Sequence, residues 1–280
     1  MAMTLSACMH CFPMYSVEKV IDIVSELGFG AIELSAVRPH IYYPEDYAKE
    51  DIKKIRDLTG SAGLKIVGLH TDDGSSFFSN LTHYNEKVRR WKVNNLKTNA
   101  ELASLLGTKM ISTTPGYYSA IGTPKQKAWE WAKQGLTEAA QTCVNHDVVI
   151  ALEPCPGTVV ADSRDGLLMI EQIGSDNVKL LLDTGHAMMA FHNNWMENGP
   201  HPIDSIHDLK KHLVHVHLDD NNGVMDEHLV PGTGVIDFKA ILDALRGIKY
   251  RGYLSIEIAV RDPRTGFKRS KQYLEPLLKS

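Results

Sequence analysis

The sequence predicts a (β/α)8 barrel, a closed ring of parallel strands each followed by a helix. Three observations predict it. Short apolar runs alternate with amphipathic stretches along all 280 residues, and that length is close to the about 250 residues typical of such a barrel. An acid or a histidine stands at the end of each of four successive apolar runs. Glu153 closes Val-Val-Ile-Ala-Leu-Glu, Asp183 closes Val-Lys-Leu-Leu-Leu-Asp, His217 closes Leu-Val-His-Val-His, and Glu257 closes Tyr-Leu-Ser-Ile-Glu. They are about thirty to forty residues apart, the length of one strand–helix unit. A parallel strand buried on both faces reads as a continuous apolar run, and in a barrel the strand ends converge on one face.

The elements follow in order. Thr4 to Met9 is the first strand, and Cys11 to Tyr15 a loop. Ser16 can cap a helix whose apolar residues Val17, Val20, Ile21 and Val24 keep helical spacing. Gly28 suits the left-handed position past that helix, and Ala31 to Leu34 is the second strand. Leu64 to Leu69 is the third, followed by a helix from about Asn85 to Leu106 that ends at Gly107. Lys109 to Thr113 precedes a helix over Pro124 to Val144, with Thr123 as cap and Pro124 at the first position. Val148 to Leu152 leads to a helix near Arg164 to Ile173, and Val178 to Leu182 to helical sequence between Ala187 and Lys211. Val214 to Leu218 leads to Phe238 to Gly247; Tyr253 to Ile258 is the last strand, and Lys268 to Leu278 closes the chain. The pattern makes eight strands and eight helices in one domain, residues 1–280, because no linker or composition shift divides it. A doubly wound open sheet would have fewer strands and a glycine fingerprint after the first of them, which is absent.

Composition narrows the function. A hydrophobic content of 43% and a charged content of 23% describe a globular protein with ample core. The net charge of −4 gives no electrostatic footprint for nucleic acid or an anionic membrane. No apolar stretch approaches the roughly 20 residues that span a bilayer, and the N-terminus lacks the basic and apolar regions of a signal peptide. Four cysteines do not make a disulfide framework in a chain this long. The expected location is the cytoplasm. Exposed helical faces of barrels often pair, so a homo-oligomer is a base-rate expectation.

An acid placed directly after a buried run is poorly solvated unless it is paired, and a cation resolves that cost. Glu153, Asp183, His217 and Glu257 together make an oxygen-rich cage with one nitrogen. That set favours one divalent ion, with Mn2+ placed first and Co2+, Mg2+ or Zn2+ as alternatives, over a thiolate-loving metal. Three carboxylates leave room for substrate oxygens, which suits a Lewis acid. Such an ion acidifies a C–H beside a carbonyl; one carboxylate can remove that proton and a second return it.

These motifs resemble a known family. Glu153-Pro154, Asp183-Thr184-Gly185-His186, His215-Val216-His217 and Glu257 are similar to the sugar isomerase/epimerase superfamily, the xylose isomerase-like barrels that include the D-tagatose 3-epimerases, the inosose dehydratases and endonuclease IV. The resemblance covers nearly the whole chain. It implies that Glu153, Asp183, His217 and Glu257 hold the metal, that Glu153 and Glu257 are also the acid–base pair, and that His186 contacts the substrate oxygen beside the metal. His215, two residues before His217, falls one barrel layer lower. Arg38-Pro39-His40 and Asp226-x-His228, with Pro231-Gly232-Thr233-Gly234 after it, resemble loops of ketoamine-sugar 3-epimerases, which makes Arg38 and His228 candidate substrate contacts. Asp226 and His228 either touch substrate or order that Gly/Pro-rich loop. By barrel-top position, His70 and Glu33 belong in or just behind the site.

Departures limit the resemblance. The D-tagatose 3-epimerases carry an arginine six residues after the metal histidine and a glutamate six residues after the strand-five glutamate; this chain has Gly223 and Val159 there. Endonuclease IV expects a histidine on strand four, where this chain reads Ile111-Ser112-Thr113-Thr114. Cys8-Met9-His10-Cys11 has no second CxxC or matching Cys/His pair, so neither zinc nor redox use is expected, although His10 can line the pocket. Phe77, Phe78, Tyr117, Tyr118 and Trp195 either pack or stack on a sugar over the barrel mouth.

The expected function is a divalent-metal-dependent sugar epimerase or isomerase acting on a keto-sugar or sugar derivative. Three alternatives stand beside it: a lyase or dehydratase using the same base, an endonuclease IV-like phosphodiesterase, and a non-catalytic sugar-binding barrel. The last would be expected to have lost one of the two glutamates. No basic cluster for a phosphorylated substrate follows strands seven and eight.

Overall fold

The computed structural model describes residues 3–71, 80–116, 123–192 and 199–279. Eight parallel strands, β1 (Thr4–Cys8), β2 (Ala31–Ser35), β3 (Lys65–His70), β4 (Met110–Thr113), β5 (Val149–Leu152), β6 (Val178–Asp183), β7 (Leu213–Leu218) and β8 (Tyr253–Ile256), close into a barrel in sequence order. The ring shuts where β1 pairs with β8, Thr4 opposite Tyr253 and Ala7 opposite Ile256.

Around it lie nine α-helices among the described residues: α1 (Val17–Glu26), α2 (Lys49–Ser61), α3 (Glu86–Leu106), α4 (Lys125–His146), α5 (Ser163–Ile173), α6 (Thr184–His192), α7 (Pro202–Leu209), α8 (Phe238–Gly247) and α9 (Pro263–Lys279). α1 starts where its cap predicts, with Ser16 accepting from the Lys19 N–H, and its apolar stripe is buried. Asn85 caps α3 in the same way, and Gly107 ends it in the left-handed conformation.

Three expectations change. The helix between β2 and β3, for which the sequence reading sets no bounds, is α2; it is mostly charged and buries only Ile52, Ile55 and Thr59, so its apolar stripe is thin. The stretch from Ala187 to Lys211 holds two helices, α6 and α7, with His201 and Pro202 opening the second. Pro124 sits at the cap of α4 rather than inside it: its ψ of 137° is extended, and Thr123 does not cap.

Most of the core lies between strands and helices. The barrel interior is different. Its lower layer is a small apolar plug of Met110, Ala151 and Leu181. Above the plug the inward-facing residues turn polar, with Ser6 and Ser255 hydroxyls 2.7 Å apart. Because strand side chains alternate, an inward Ala151, Leu181, His215 or Ser255 requires an inward Glu153, Asp183, His217 or Glu257 two residues later.

The α3–α4 pair carries an ion cluster in which Glu138 accepts from Arg90 and from Lys97 (2.5 Å). These hydrogen bonds hold its carboxyl at about 2. A depressed folded-state pKa adds stability that is present above the ordinary value near 4.5 and is lost as pH falls through about 2. Glu138→Gln is therefore expected to lower stability at neutral pH by about 1 kcal/mol or less, since the pair is partly solvated. Melting curves of both proteins should converge toward pH 2; a gap that persists there would show packing rather than charge.

Candidate active site at the barrel mouth

The backbone ladder runs past the ends of the strands and fixes the four predicted residues. Glu153 N–H donates to the Thr113 carbonyl (3.0 Å) and Glu257 N–H to the Leu218 carbonyl (3.1 Å), so each carboxylate starts from a fixed rim position. All four side chains, Glu153, Asp183, His217 and Glu257, are buried.

His217 stands at the centre. Its Nδ1 lies 2.5 Å from Glu257 Oε2 and 3.6 Å from Glu153 Oε1. Asp183 joins the group through His186, whose backbone N–H donates to Asp183 Oδ1 (2.6 Å). The His186 Nδ1 is 3.6 Å from that same oxygen and 3.2 Å from Glu153 Oε1. Despite these short distances, His217 Nδ1, His186 Nδ1, Asp183 Oδ2 and Glu257 Oε2 have no hydrogen-bond partner of acceptable geometry among the described residues. Leaving several buried donors and acceptors unmatched is costly. A shared cation among these lone pairs removes the cost, so the donor set fits a hard divalent ion.

The electrostatics agree. Burial pushes the Glu153 carboxyl up, but the close approach of His186 and His217 and their charge outweigh it and hold it at about 2. Burial likewise raises Glu257, and the charge of His217 and His10 brings it well below the usual carboxylate range. Asp183 is raised: burial and the nearby Glu153 and Glu257 charges outweigh His186.

Beneath His217 lies the residue that orients it. Glu33 on β2 is fully buried, and its Oε2 is 3.0 Å from both His215 Nε2 and His217 Nε2. The Ser112 hydroxyl donates to Oε1 (3.2 Å). Burial raises Glu33, yet the charges and hydrogen bonds of the two imidazoles hold it well below its ordinary value. With Nε2–H donating to Glu33, His217 turns Nδ1 toward Glu257 and Glu153, the usual carboxylate–histidine arrangement behind a metal ligand.

The other predicted residues divide. His70 reaches the site: it stacks on His10 at 4.2 Å and lies 6.1 Å from the His217 ring, centroid to centroid. His228 also reaches it, in a left-handed conformation, with Nε2 3.3 Å from Asp226 Oδ1 and Nδ1 3.4 Å from Asp219 Oδ2. Asp226 Oδ2 in turn lies 3.3 Å from His186 Nε2. Arg38 is not part of this cluster. Its guanidinium is 60% exposed, forks onto Asp46 at 2.7 and 2.9 Å and lies over the Tyr42 ring. Phe77, Phe78, Tyr117, Tyr118 and Trp195 lie outside the described residues.

Sequence reasoning missed Asp219 and Asp220, which read as loop. The buried Asp219 accepts from Gly185 N–H (2.9 Å) and Thr184 Oγ1 (3.2 Å), pinning the start of α6 that carries His186. Asp220 accepts the N–H groups of Gly232, Gly234 and Ile236 at 2.8–3.1 Å. It is Asp220 that anchors the Gly/Pro-rich loop, which frees Asp226 and His228 to face the mouth. Two consecutive acids immediately after a histidine-bearing strand were the available signal.

A model of the xylose isomerase-like TIM barrel family matches residues 21–277. The chain belongs to that family. Among its relatives is fructoselysine 3-epimerase of Escherichia coli O157:H7, 24% identical over 271 residues and aligned over 94% of both proteins. The crystal structure of a D-tagatose 3-epimerase-like protein superposes with a TM-score of 0.83 at 25% identity, covering 99% of each chain. The IolI protein, whose crystal structure holds a zinc atom, shares the fold with a TM-score of 0.79 at 21% identity, over 99% of this chain and 98% of that one. Within this family the two departures are structural. Val159 is fully buried, and a glutamate there would need a partner. Gly223 has φ +78°, and a Cβ on it would come within 2.8 Å of the His192 ring, so an arginine cannot be seated there without moving that ring. No helix among the described residues is long and apolar enough to cross a membrane.

Proposed function

We propose that the protein is a divalent-metal-dependent epimerase or isomerase of a keto-sugar derivative. The observation that carries this reading is His217 Nδ1 set between Glu257 Oε2 and Glu153 Oε1 with no hydrogen-bond partner among the described residues, and Asp183 beside them. Glu153, Asp183, His217 and Glu257 would hold the ion. When bound, such an ion supplies a Lewis acid that polarises a carbonyl and its neighbouring hydroxyl, acidifying the C–H between them.

The chain's own residues do the rest. A substrate carbon lying between Glu153 and Glu257 meets a carboxylate on each face. One removes the proton from carbon as the electrons move onto the carbonyl oxygen, and the other returns a proton to the opposite face. Each acid is tied to an imidazole that holds it below the usual carboxylate range, so the one that returns a proton first takes it up from solvent. His186 presents Nε2 toward Asp226 across the mouth, where it can donate to a substrate oxygen. His70 and His10 form a stacked wall on the β1–β3 side that limits water. The buried Val159 and the constrained Gly223 favour a substituted sugar over a free ketohexose, in keeping with a relative whose substrate is fructoselysine.

A panel of ketohexoses, ketoamine sugars, inososes and 3-keto-glycosides, assayed with Mn2+, Co2+, Mg2+ or Zn2+ after chelation, tests the reading. One divalent ion per chain, activity restored by it, and a product of unchanged mass are expected. A product lighter by one water would make the enzyme a lyase, and full activity in the chelated protein would exclude the metal role.

A further inference from the structure

A second cluster of metal-binding side chains lies beside the first, at the end of β1. β1 ends at Cys8, and a single 3-10 turn, Met9–Cys11, carries the chain over the rim. The turn brings Cys8 Sγ, Cys11 Sγ and a ring nitrogen of His10 within 4.8 Å of one another. His10 Nδ1 is 3.1 Å from Cys8 Sγ, and its other nitrogen, Nε2, is 3.1 Å from Glu257 Oε1. Cys11 Sγ accepts the backbone N–H of Ile258 (3.3 Å). The sequence expectation looked for partner ligands elsewhere in the chain; the third donor comes from within the turn.

We propose that Cys8, His10 and Cys11 form a second cation site, selective for soft thiophilic ions such as Zn2+ or Cd2+, whose occupation inhibits the enzyme. The donor chemistry separates it from the carboxylate site: two sulfurs and one imidazole nitrogen select soft ions, whereas three carboxylates and one imidazole suit hard ones. Two features prepare the site. The imidazole is backed by a carboxylate, Glu257, and held flat by stacking on His70, so Nδ1 is aimed rather than free to rotate. The Ile258 N–H pointing at Cys11 Sγ stabilises charge on that sulfur. The thiols are buried while the His10 side chain is 30% exposed, so an ion enters from the mouth past His10.

Binding releases the two thiol protons to solvent and leaves a thiolate pair and a neutral imidazole on the ion. An ion on Nδ1 locks the His10 proton onto Nε2 and, by its charge, makes that N–H a stronger donor to Glu257 Oε1. That carboxylate becomes a poorer base, and a proton carrier is lost. The inhibitory arm rests on the role proposed above for Glu257, while the binding arm does not.

Both arms are read on the full-length protein. With the carboxylate site saturated by Mn2+, Cd2+ is titrated and the ultraviolet thiolate-to-cadmium charge-transfer band recorded. One equivalent is expected to saturate the band. It should vanish in Cys8→Ser/Cys11→Ser and survive in Cys143→Ser/Cys155→Ser, which removes the remaining two cysteines. If the first double variant does not fold, Cys11→Ser alone should still weaken Cd2+ binding by at least about tenfold through loss of one thiolate. Absence of the band in the wild type, or its survival without Cys8 and Cys11, overturns the site. Turnover should fall on the order of 10²-fold as the band grows, reflecting a lost general base, and should not fall in the Cys8/Cys11 variant. A saturating band with no loss of turnover overturns the inhibition; a band in a protein that Mn2+ neither binds nor activates leaves the thiolate site standing and refutes the proposed function instead.

Discussion

Glu257→Gln is expected to slow exchange of the substrate C–H with solvent deuterium on the order of 10²–10⁴-fold, the usual contribution of a positioned general base. Its two oxygens have separate tasks. Oε2 faces His217 Nδ1 at 2.5 Å, and Oε1 faces His10 Nε2 at 3.1 Å. A glutamine keeps the length and one carbonyl oxygen for the metal side but cannot accept a proton at working pH. Metal content measured on the same sample separates loss of the base from loss of the ion. The fold should survive, because the anchoring Glu257 N–H bond to Leu218 is made by the backbone. Full deuterium exchange in a metal-loaded variant would remove Glu257 from proton transfer.

The second large effect is expected one layer lower. Glu33→Gln should lower divalent-metal affinity about 10–100-fold, the range for residues that orient a ligand. One carboxylate oxygen accepts from two imidazoles at 3.0 Å. A glutamine also brings an amide that donates, so one of the two imidazole N–H groups loses its acceptor or the His217 ring changes tautomer. Either outcome turns Nδ1 away from its role as a bare lone pair. Glu33→Ala should in addition destabilise the fold by about 3–5 kcal/mol, because it strips a buried charged partner from two histidines and leaves a void. Calorimetric titration with Mn2+ and thermal melts read the two effects apart. Wild-type affinity in Glu33→Gln would show that His217 is oriented by packing alone.

Much of the site was legible because strand position and chemistry coincide in sequence. Glu153, Asp183, His217 and Glu257 each follow an apolar run, and a period of two puts each on the inner face once its strand is known. His186, three residues past Asp183, came from the family resemblance, whereas the period of two placed His215 one layer down. Arg38 was legible only as a loop resemblance; its neighbour Asp46 captures the guanidinium on the outside of the cluster. That capture depends on the fold of the loop between β2 and α2, which no periodicity describes. Asp219 and Asp220 escaped because polar residues after a strand read as solvated loop, whereas their carboxylates are turned inward onto backbone N–H groups. α2 was missed for the opposite reason: its apolar stripe is too thin to register as a period.

By itself, the sequence determined the closed barrel, its strands, and the convergence of two glutamates, an aspartate and a histidine at one end. These follow from local patterning, since burial on both faces forces apolar runs and alternation dictates the face. Only the tertiary structure decided what those residues do to one another. Glu33 and His217 are 184 residues apart in sequence, and so no local rule could show that one carboxylate sets the other's tautomer. Cys8, His10 and Cys11 are neighbours in sequence, yet their link to Glu257 exists only because β1 closes the ring against β8. Distances of about 3 Å between inward side chains decide protonation and ligation, and those distances are fixed by ring closure and not by any one strand.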